Sequence, residues 1–384
     1  MDSTFFDSKR PWSRYKDFLL KSYLEPYIPK VASLKRPILI VDCFAGMGRF
    51  KDGEEGSPLI IADAIQRWSE KLDVNITGEF IEANSEIFGS LQQSLEEFHD
   101  FCTPRLGTFD ETLIDLEKQA KRNTVFLYVD PYTVKGLRFE RMKKVFDQIS
   151  KSSSSVEVLM NFNIPIFMRW ALAALKRLNE MPDSEELEPE ADDPNETVER
   201  RILSEIAGGD YWISIASNDN LSFSEKIDEF LNAYVCKLRE SFKYVCSYPV
   251  KEKYRHQVPK YVMLFATGHP DGILLMNDFM CKARREFVEQ HFAVNHLFDT
   301  TPEEEIVEQS ELRNEILNTL NQFSSPRNRK AVGLKILLNG FVTRVTLGEI
   351  KKEISAMIKD DLVFSSTGKS RINDTVLLST TPFE

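Results

Sequence analysis

The chain has 384 residues, more than one compact domain usually requires, and its 42% hydrophobic and 28% charged residues are typical of a globular protein. No apolar run of membrane-spanning length and no secretory signal occurs. Five widely spaced cysteines fit neither a zinc pattern nor a disulfide framework, so a cytoplasmic protein with reduced thiols is expected. A formal net charge of −11 argues against a protein that coats nucleic acid nonspecifically, because that requires a basic surface.

The first half of the chain alternates between helix and strand patterns. After an amphipathic helix over 12–30, the run PILIVDCFAG predicts a buried parallel strand that leads into a glycine-rich loop. Ser57 is predicted as the N-cap of the next helix, with Pro58 at its first helical position. Further strands follow, separated by helices: ITGEFIEAN, TVFLYVDPY and VEVLMNFN. This alternation predicts βαβ crossovers and therefore a mostly parallel, Rossmann-like α/β sheet.

The sheet is predicted to end in an antiparallel pair, FKYVCSYPV and KYVMLFATG. Before this pair, the acidic stretch 182–205 carries ten carboxylates and two arginines from Asp183 onward, so it is predicted to be a solvated surface insertion. We expect the α/β domain to cover residues 1–295.

The remaining residues, 296–384, are predicted to form a small separate module. Helical patterns there are followed by a capping box that opens at Thr346 and by a basic hairpin over 362–379. Helices followed by a hairpin of this kind indicate a winged-helix-like unit.

The loop after the first strand carries the first candidate site. Its sequence, DCFAGMG, places glycines where a backbone can approach a ligand at the carboxyl edge of a parallel sheet. A nicotinamide fingerprint would need a third glycine where Lys51 stands, so a methyltransferase-type loop is the favoured interpretation. An ordinary glycine turn of another α/β enzyme is the alternative. The predicted cofactor-binding residues here are Asp42, Phe44, Ala45, Gly46 and Gly48.

Glu82, at the end of the second predicted strand, is the second candidate, together with its neighbour Ala83. A carboxylate at this place offers two adjacent acceptor oxygens for the two ribose hydroxyls of an adenosine. The alternative is that Glu82 caps the following helix. With the glycine loop, this residue predicts S-adenosylmethionine as cofactor.

Asp130, Pro131 and Tyr132 follow the third clear strand and are the predicted catalytic residues. Methyltransferases that act on exocyclic amines carry an acid or amide, prolines and an aromatic ring at this place, which accept from the amine and stack on the base. Here one proline is missing, so a plain strand-to-loop turn remains an alternative. Lys135 lies close behind and either meets phosphate or is solvated.

A metal site is the remaining alternative for these strand ends. Asp42, Glu82 and Asp130 could together hold a divalent cation. The five histidines, however, show no HxH or HxxxH pairing, and a metal would leave the glycine loop unexplained. We therefore predict no metal. His269, after a late strand, is interpreted as structural.

Several stretches together resemble the three-Cys-motif partner proteins (TcmP), a bacterial group with a class I methyltransferase-like fold. The similarity covers residues 10–290, and its longest part is DCFAGMGRFKDGEEGSPLIIA at 42–62. The other stretches are Lys16 with Leu20 and Tyr23-Leu24, FIEAN at 80–84, VDPYTVKG at 129–136, LMNFN with Met168-Arg169, and TGHPDGILLM at 267–276.

This resemblance implies a bacterial, cytoplasmic protein that works with a partner carrying three cysteines and similar to radical S-adenosylmethionine enzymes. It also implies that Asp42, Gly46, Gly48 and Glu82 face the cofactor and that Asp130 lies at the reaction centre. Family members often have Phe-Gly where this chain has Tyr132-Thr133, which leaves the stacking role open. The single Cys43 is not the three-cysteine motif, which belongs to the partner.

Two functions of different classes remain open from the sequence. The first is an S-adenosylmethionine-dependent methyltransferase acting on an exocyclic amine of nucleic acid. The second is a catalytically silent scaffold or regulatory subunit of the three-cysteine partner.

The C-terminal module is the predicted place for contact with DNA or RNA. From Phe323 onward there are ten lysines and arginines against six acids, within a chain of net charge −11. A solvated surface, an acidic protein partner, or the chain's own acidic stretch are the alternatives. The predicted nucleic-acid-binding residues lie at a helix start and a hairpin tip: Arg327, Arg329, Lys330, Lys369 and Arg371.

Overall fold

The computed structural model describes residues 13–151, 155–181, 198–253, 256–295 and 307–383. Most of the predicted acidic insertion lies outside these ranges. Within them, no helix combines the length and the apolar character needed to cross a bilayer. The contacts divide the chain into two units, residues 1–273 and 274–384, whereas composition placed the boundary at 295/296.

The first unit contains seven strands and nine complete helices among its described residues, plus three short 3₁₀ turns. The strands are β1 Ile38–Asp42, β2 Ile76–Glu82, β3 Cys102–Leu106, β4 Thr124–Val129, β5 Val156–Phe162, β6 Tyr244–Val250 and β7 Tyr261–Thr267. The helices are α1 Ser13–Ala32, α2 Ser57–Ser69, α3 Ser85–Ser94, α4 Phe109–Ala120, α5 Phe139–Lys151, α6 Ile164–Ala174, α7 Arg200–Ala207, α8 Tyr211–Ala216 and α9 Phe223–Leu238.

All seven strands form one sheet, in the order β3-β2-β1-β4-β5-β7-β6. The first five pair in parallel, and β7 runs antiparallel to both β5 and β6. The order reverses between β1 and β4, and in open α/β sheets such a point opens a crevice at the carboxyl ends of the strands. The predicted fold, a mostly parallel Rossmann-like sheet with an antiparallel end pair, is confirmed.

The central strands are continuous apolar runs in the sequence because both of their faces are buried in the core. Every residue of β1, β4, β5 and β7 is buried, whereas the edge strand β3 is partly exposed. Helix α1 contributes Tyr23, whose ring contacts the rings of Tyr27, Phe126 and Phe265 at centroid distances of 5.5, 5.8 and 5.0 Å. Its hydroxyl donates to the buried carboxylate of Glu157 at 2.5 Å, so helix and sheet are joined by a polar contact as well.

The predicted N-cap of α2 is wrong by one residue. Gly56, in an extended conformation, is the N-cap, and Ser57 is the first helical residue. The Gly56 N–H donates to the Gly48 carbonyl at 2.7 Å, which fixes the chain before the helix begins. The Ser57 hydroxyl is consequently free to donate elsewhere, to Asp42 at 2.6 Å.

The second unit begins within α10, Pro270–Asn295, which starts in the first unit. It also contains α11 Gln309–Gln322, β8 Arg327–Asn328, α12 Arg329–Ile336, a π-helical turn Leu337–Phe341, α13 Leu347–Lys359, β9 Phe364–Ser365 and β10 Leu377–Ser379. Asn277 and Asp278 of α10 bind the backbone of residues 343–347, which explains why the unit begins earlier than composition suggested.

The predicted hairpin and capping box of this unit are both present. β10 pairs antiparallel with β9 and also with β8, and Thr346 with Glu349 forms the capping box of α13. After α10, the order is therefore helix, strand, two helices and two strands. The winged-helix interpretation of this order stays a prediction.

Candidate functional site

A cavity of about 450 Å³ opens at the carboxyl ends of β1, β2, β4 and β5, where the sheet order reverses. This volume lies within the ordinary range of small-molecule sites. The predicted cofactor and catalytic residues line it, except Asp42: Phe44, Ala45, Gly46, Gly48, Glu82, Ala83, Asp130, Pro131 and Tyr132. The topology thus brings together segments that lie far apart in the sequence.

The glycines of the loop after β1 are required by backbone geometry. Gly46 and Gly48 have φ angles of +66° and +85°, which residues with a Cβ rarely adopt. Gly48 is also buried, and a Cβ built on it would lie 2.7 Å from the Cβ of Ser94. The Ser94 hydroxyl donates to the Met47 carbonyl at 2.9 Å, so α3 supports the loop directly.

Asp42, predicted to face the cofactor, does not line the cavity. Its side chain is fully buried behind the loop, where it accepts from the Ser57 hydroxyl at 2.6 Å and from the Phe44 N–H at 3.3 Å. Burial raises the pKa of Asp42 to about 7, although these two hydrogen bonds oppose the rise. Its role is to hold the glycine loop against the start of α2.

Glu82 joins the second strand to the glycine loop. One carboxylate oxygen accepts from the Gly46 N–H at 3.0 Å, and the other accepts from the Asn84 N–H at 2.7 Å. The cap of α3 is Asn84, which accepts from the backbone N–H groups of Glu86 and Ile87, so Glu82 is not the helix cap. A carboxylate can accept about four hydrogen bonds, so Glu82 keeps acceptor capacity toward the cavity.

Asp130 is held by three donors from three elements. Lys16 of α1 lies 2.8 Å from one carboxylate oxygen and 3.1 Å from the other. Asn161 of β5 donates through its amide nitrogen at 2.7 Å, and the Tyr128 hydroxyl donates at 3.2 Å. Lys16 and Asp130 are only 16% and 19% exposed. The four contacts occupy the usual acceptor capacity of the carboxylate.

Lys16, Asn161 and Tyr261 were not among the predicted site residues, although all three line the cavity. The Lys16 ammonium also lies 5.4 Å from the centroid of the Tyr261 ring. Lys16 entered the sequence analysis only through the family resemblance, because a lysine on an amphipathic helix has no local signal of function. Only the packing of α1 against the sheet brings it to Asp130.

Aromatic rings and two cations complete the wall. The rings of Phe44 and Phe109 lie 5.3 Å apart, and a Cβ at Gly136 would lie 3.0 Å from the Phe44 ring. The Lys135 ammonium lies 5.6 Å from the Trp170 ring. Arg138 pairs with Glu205 at 2.8 Å. The Phe44 ring therefore packs against Phe109 of α4 and against the turn that contains Gly136.

The strand-end carboxylates do not converge on a shared point. Asp42 lies behind the loop, Glu82 binds backbone N–H groups and Asp130 binds Lys16. Among the described residues, no group of three or more His, Cys, Asp or Glu side chains has the arrangement of a metal site. His269 does not line the cavity. Its ring nitrogen accepts from the Asp271 N–H at 3.2 Å, at the start of α10.

The predicted basic residues of the second unit differ in their surroundings. Arg329 and Lys330 pair with Asp374, at 2.6 and 3.1 Å. Arg327 is exposed, with its guanidinium 5.8 Å from the Phe323 ring. The last two, Lys369 and Arg371, are exposed in the segment between β9 and β10.

Comparison with family models and with curated proteins finds no match for this chain. Solved structures with a similar arrangement include protein LPL1258 from Legionella pneumophila str. Philadelphia 1, at 9% identity and a TM-score of 0.41, covering 73% of this chain and 94% of that one. The methyltransferase domain of bacterial CtHen1 gives 10% identity and a TM-score of 0.32, covering 65% and 100%. The plantazolicin methyltransferase BamL gives 11% and 0.29, covering 69% and 92%.

Proposed function

We propose that this protein is an S-adenosylmethionine-dependent methyltransferase. The observation that carries the proposal is the hydrogen bond from the Gly46 N–H to the Glu82 carboxylate, at the wall of one cavity. A glycine loop and a second-strand acid are the two groups that an adenosine-containing cofactor needs at the switch point of an open α/β sheet. Here this one hydrogen bond holds the glycine loop and the acid in a fixed position relative to each other.

The residues present fit such a cofactor. Glu82 keeps acceptor capacity for ribose hydroxyls, and the loop around Gly46 and Gly48 lets backbone approach the ligand. Phe44 and Ala83 add apolar wall to the same cavity. When bound, S-adenosylmethionine supplies an electrophilic methyl group.

The groups near Asp130 would then position the methyl acceptor. In this role Asp130 would accept from the N–H of a nitrogen acceptor and so orient its lone pair toward the methyl group that the cofactor would supply. For Asp130 to accept from an amine, Lys16 must first release one of its two oxygen contacts. The exocyclic amine of a nucleic acid as substrate is supported by the Asp130-Pro131-Tyr132 segment alone.

A second candidate function is favoured by that same ion pair. Lys16, Asn161 and Tyr128 already occupy the Asp130 carboxylate. In this second candidate function, the methyltransferase fold serves as a scaffold that binds the cofactor without transferring its methyl group. A three-cysteine-motif partner would then carry the chemistry. Both candidates require cofactor binding, so they differ only in methyl transfer.

The first experiment is calorimetry with S-adenosylmethionine and S-adenosylhomocysteine. Glu82→Ala removes a charged acceptor and should weaken binding by about 1.5–3 kcal/mol, or about 10- to 150-fold. Ser94→Ala is the matched control, because it loosens the same loop without touching the carboxylate, and its loss should be clearly smaller. Absence of binding of either compound to the unmodified protein at high micromolar concentration would refute the proposal.

The second experiment separates enzyme from scaffold. Labelled methyl groups from S-adenosylmethionine are offered to DNA, to RNA and to a three-cysteine-motif protein. Transfer to any of these establishes the enzyme and its acceptor class. Cofactor binding without transfer to any of them supports the scaffold.

A further inference from the structure

The second unit presents a basic surface that differs from the predicted one. Of the five predicted cations (Arg327, Arg329, Lys330, Lys369 and Arg371), Arg329 and Lys330 are both paired with Asp374. An acid already in contact competes with phosphate for the same two cations. Positive charge open to phosphate therefore lies at other residues of the unit.

Helix α13 carries this charge on its outward face. Lys351, Lys352 and Lys359 take part in no ion pair among the described residues, and Lys352 and Lys359 are exposed. The two acids of the helix are both engaged, since Glu349 pairs with Arg285 at 2.7 Å and Glu353 with Arg313. The three lysines, called the α13 lysines below, thus remain uncompensated.

Small residues lie between the α13 lysines. Gly348, Lys352, Ser355 and Lys359 are spaced as one stripe of a helix, and Ala356 lies beside them. Together with Arg313, Lys351 and Asp360 they line an open depression on the surface of the unit. Since the residues between the lysines on this stripe are small, a phosphate backbone can approach the helix there.

We propose that the α13 lysines bind the phosphate backbone of duplex DNA. A helix of about 10–12 Å diameter fits the major groove of B-DNA, about 12 Å wide, whereas the corresponding groove of A-form RNA is too narrow. α12 and α13 are consecutive helices joined by residues 337–346, in which Gly340 has a φ of +103°. In many DNA-binding units of consecutive helices, the second helix enters the groove. Lys369 and Arg371, exposed between β9 and β10, provide further cations.

The test uses the full chain and a fluorescent, mixed-sequence DNA duplex of about two helical turns. Binding is measured from about 50 mM salt upward, because phosphate contacts release counterions and each lowers log K by about 0.9 per tenfold rise in salt. Reversal of the three α13 lysines to glutamate should flatten this slope by about 2.7 and weaken low-salt binding by at least about tenfold. The glutamine triple variant should give a smaller loss in the same direction.

The control is a charge-matched reversal in the first unit, which changes the net charge equally on exposed residues outside the cavity: Lys118→Glu, Lys121→Glu and Lys144→Glu. It should leave the salt slope unchanged. Thermal unfolding of each variant confirms that the fold is kept.

Four results would overturn the proposal. These are no binding of the duplex by the unmodified protein, equal losses in the α13 glutamate variant and the first-unit control variant, tighter binding of an RNA duplex, or displacement of the duplex by polyglutamate at lower concentration. The last result would assign the surface to an acidic protein. None of these depends on cofactor binding, so the proposal stands or fails separately from the methyltransferase proposal.

Discussion

The charged side chains that line the cavity of the first unit differ in their surroundings from those on the α13 face of the second unit. In the cavity wall, carboxylates are partly shielded and each is held by fixed donors, as Glu82 is by backbone N–H groups and Asp130 by Lys16. On α13, Lys352 and Lys359 are exposed, and the α13 lysines form no ion pair within the part of the chain that the structure describes. Shielded charges interact strongly and resist salt, while exposed charges are screened. Substitutions in the first region should therefore change stability and ligand affinity, and those in the second mainly the salt dependence of binding.

The largest effect is expected where the cavity loop is most constrained. Gly48→Ala should lower the free energy of unfolding by about 2–5 kcal/mol, because it combines a left-handed backbone with a Cβ only 2.7 Å from that of Ser94. Gly53→Ala is the matched control: its φ is +89°, but nothing lies within 4 Å of the added Cβ. It should cost only about 1–2 kcal/mol. Equal losses in urea unfolding would show that packing against α3 does not matter.

Two buried acids, Asp42 behind the cavity loop and Glu157 near the amino end of β5, should make stability fall as pH rises. Burial raises the pKa of Glu157 to about 7, against the hydrogen bonds from Tyr23 and Thr267 and the charge of Lys30, and Asp42 is raised to about 7 as well. A raised native pKa means that the folded protein binds more protons than the unfolded chain. The stabilising contribution is thus complete below the unfolded value of about 4.3 and is lost as pH rises through about 7.

The corresponding measurement is urea unfolding between pH 5 and pH 8. Glu157 should account for about 3 kcal/mol of the decline, since one pKa unit corresponds to about 1.4 kcal/mol. Glu157→Gln keeps an acceptor for Tyr23 and Thr267 but cannot ionise, so its decline should be smaller by that amount. An unchanged pH profile in this variant would show that Glu157 is not the titrating group.

The two regions also differ in how many of their functional residues could be predicted from the sequence alone. Residues at the ends of consecutive parallel strands, such as Glu82 and Asp130, meet because topology brings those ends to one edge, and both were predicted to line one site. That the Asp42 side chain lies behind the loop could not be predicted, because the last residue of a strand can point into the core as easily as toward the cavity, and only the Ser57 contact shows which. Lys16 was missed because α1 precedes the sheet and carries no motif.

On the second unit, charge density along the chain was a poor guide. Arg329 and Lys330 are adjacent in sequence to other cations, but the hairpin brings Asp374 against them, across more than forty residues. Lys351 and Lys352 lie among glutamates in sequence, yet those acids are paired with arginines of other helices. Net charge over a segment cannot show which cations are compensated, because the compensation comes from the tertiary fold.

The smallest effect on stability is expected where Asp374 pairs with Arg329 and Lys330. Asp374→Asn removes an ion pair whose acid is 42% exposed, so the free energy of unfolding should change by less than about 1 kcal/mol. The same change releases Arg329 and Lys330. If DNA binds this unit, the slope of log K against log salt should steepen by up to about 1.8, from two added phosphate contacts. Asp361→Asn is a matched control, since Asp361 is an exposed acid of the same unit. A steeper slope in Asp374→Asn alone means that the duplex reaches the start of α12 as well as α13; equal slopes in both variants confine the contact to α13.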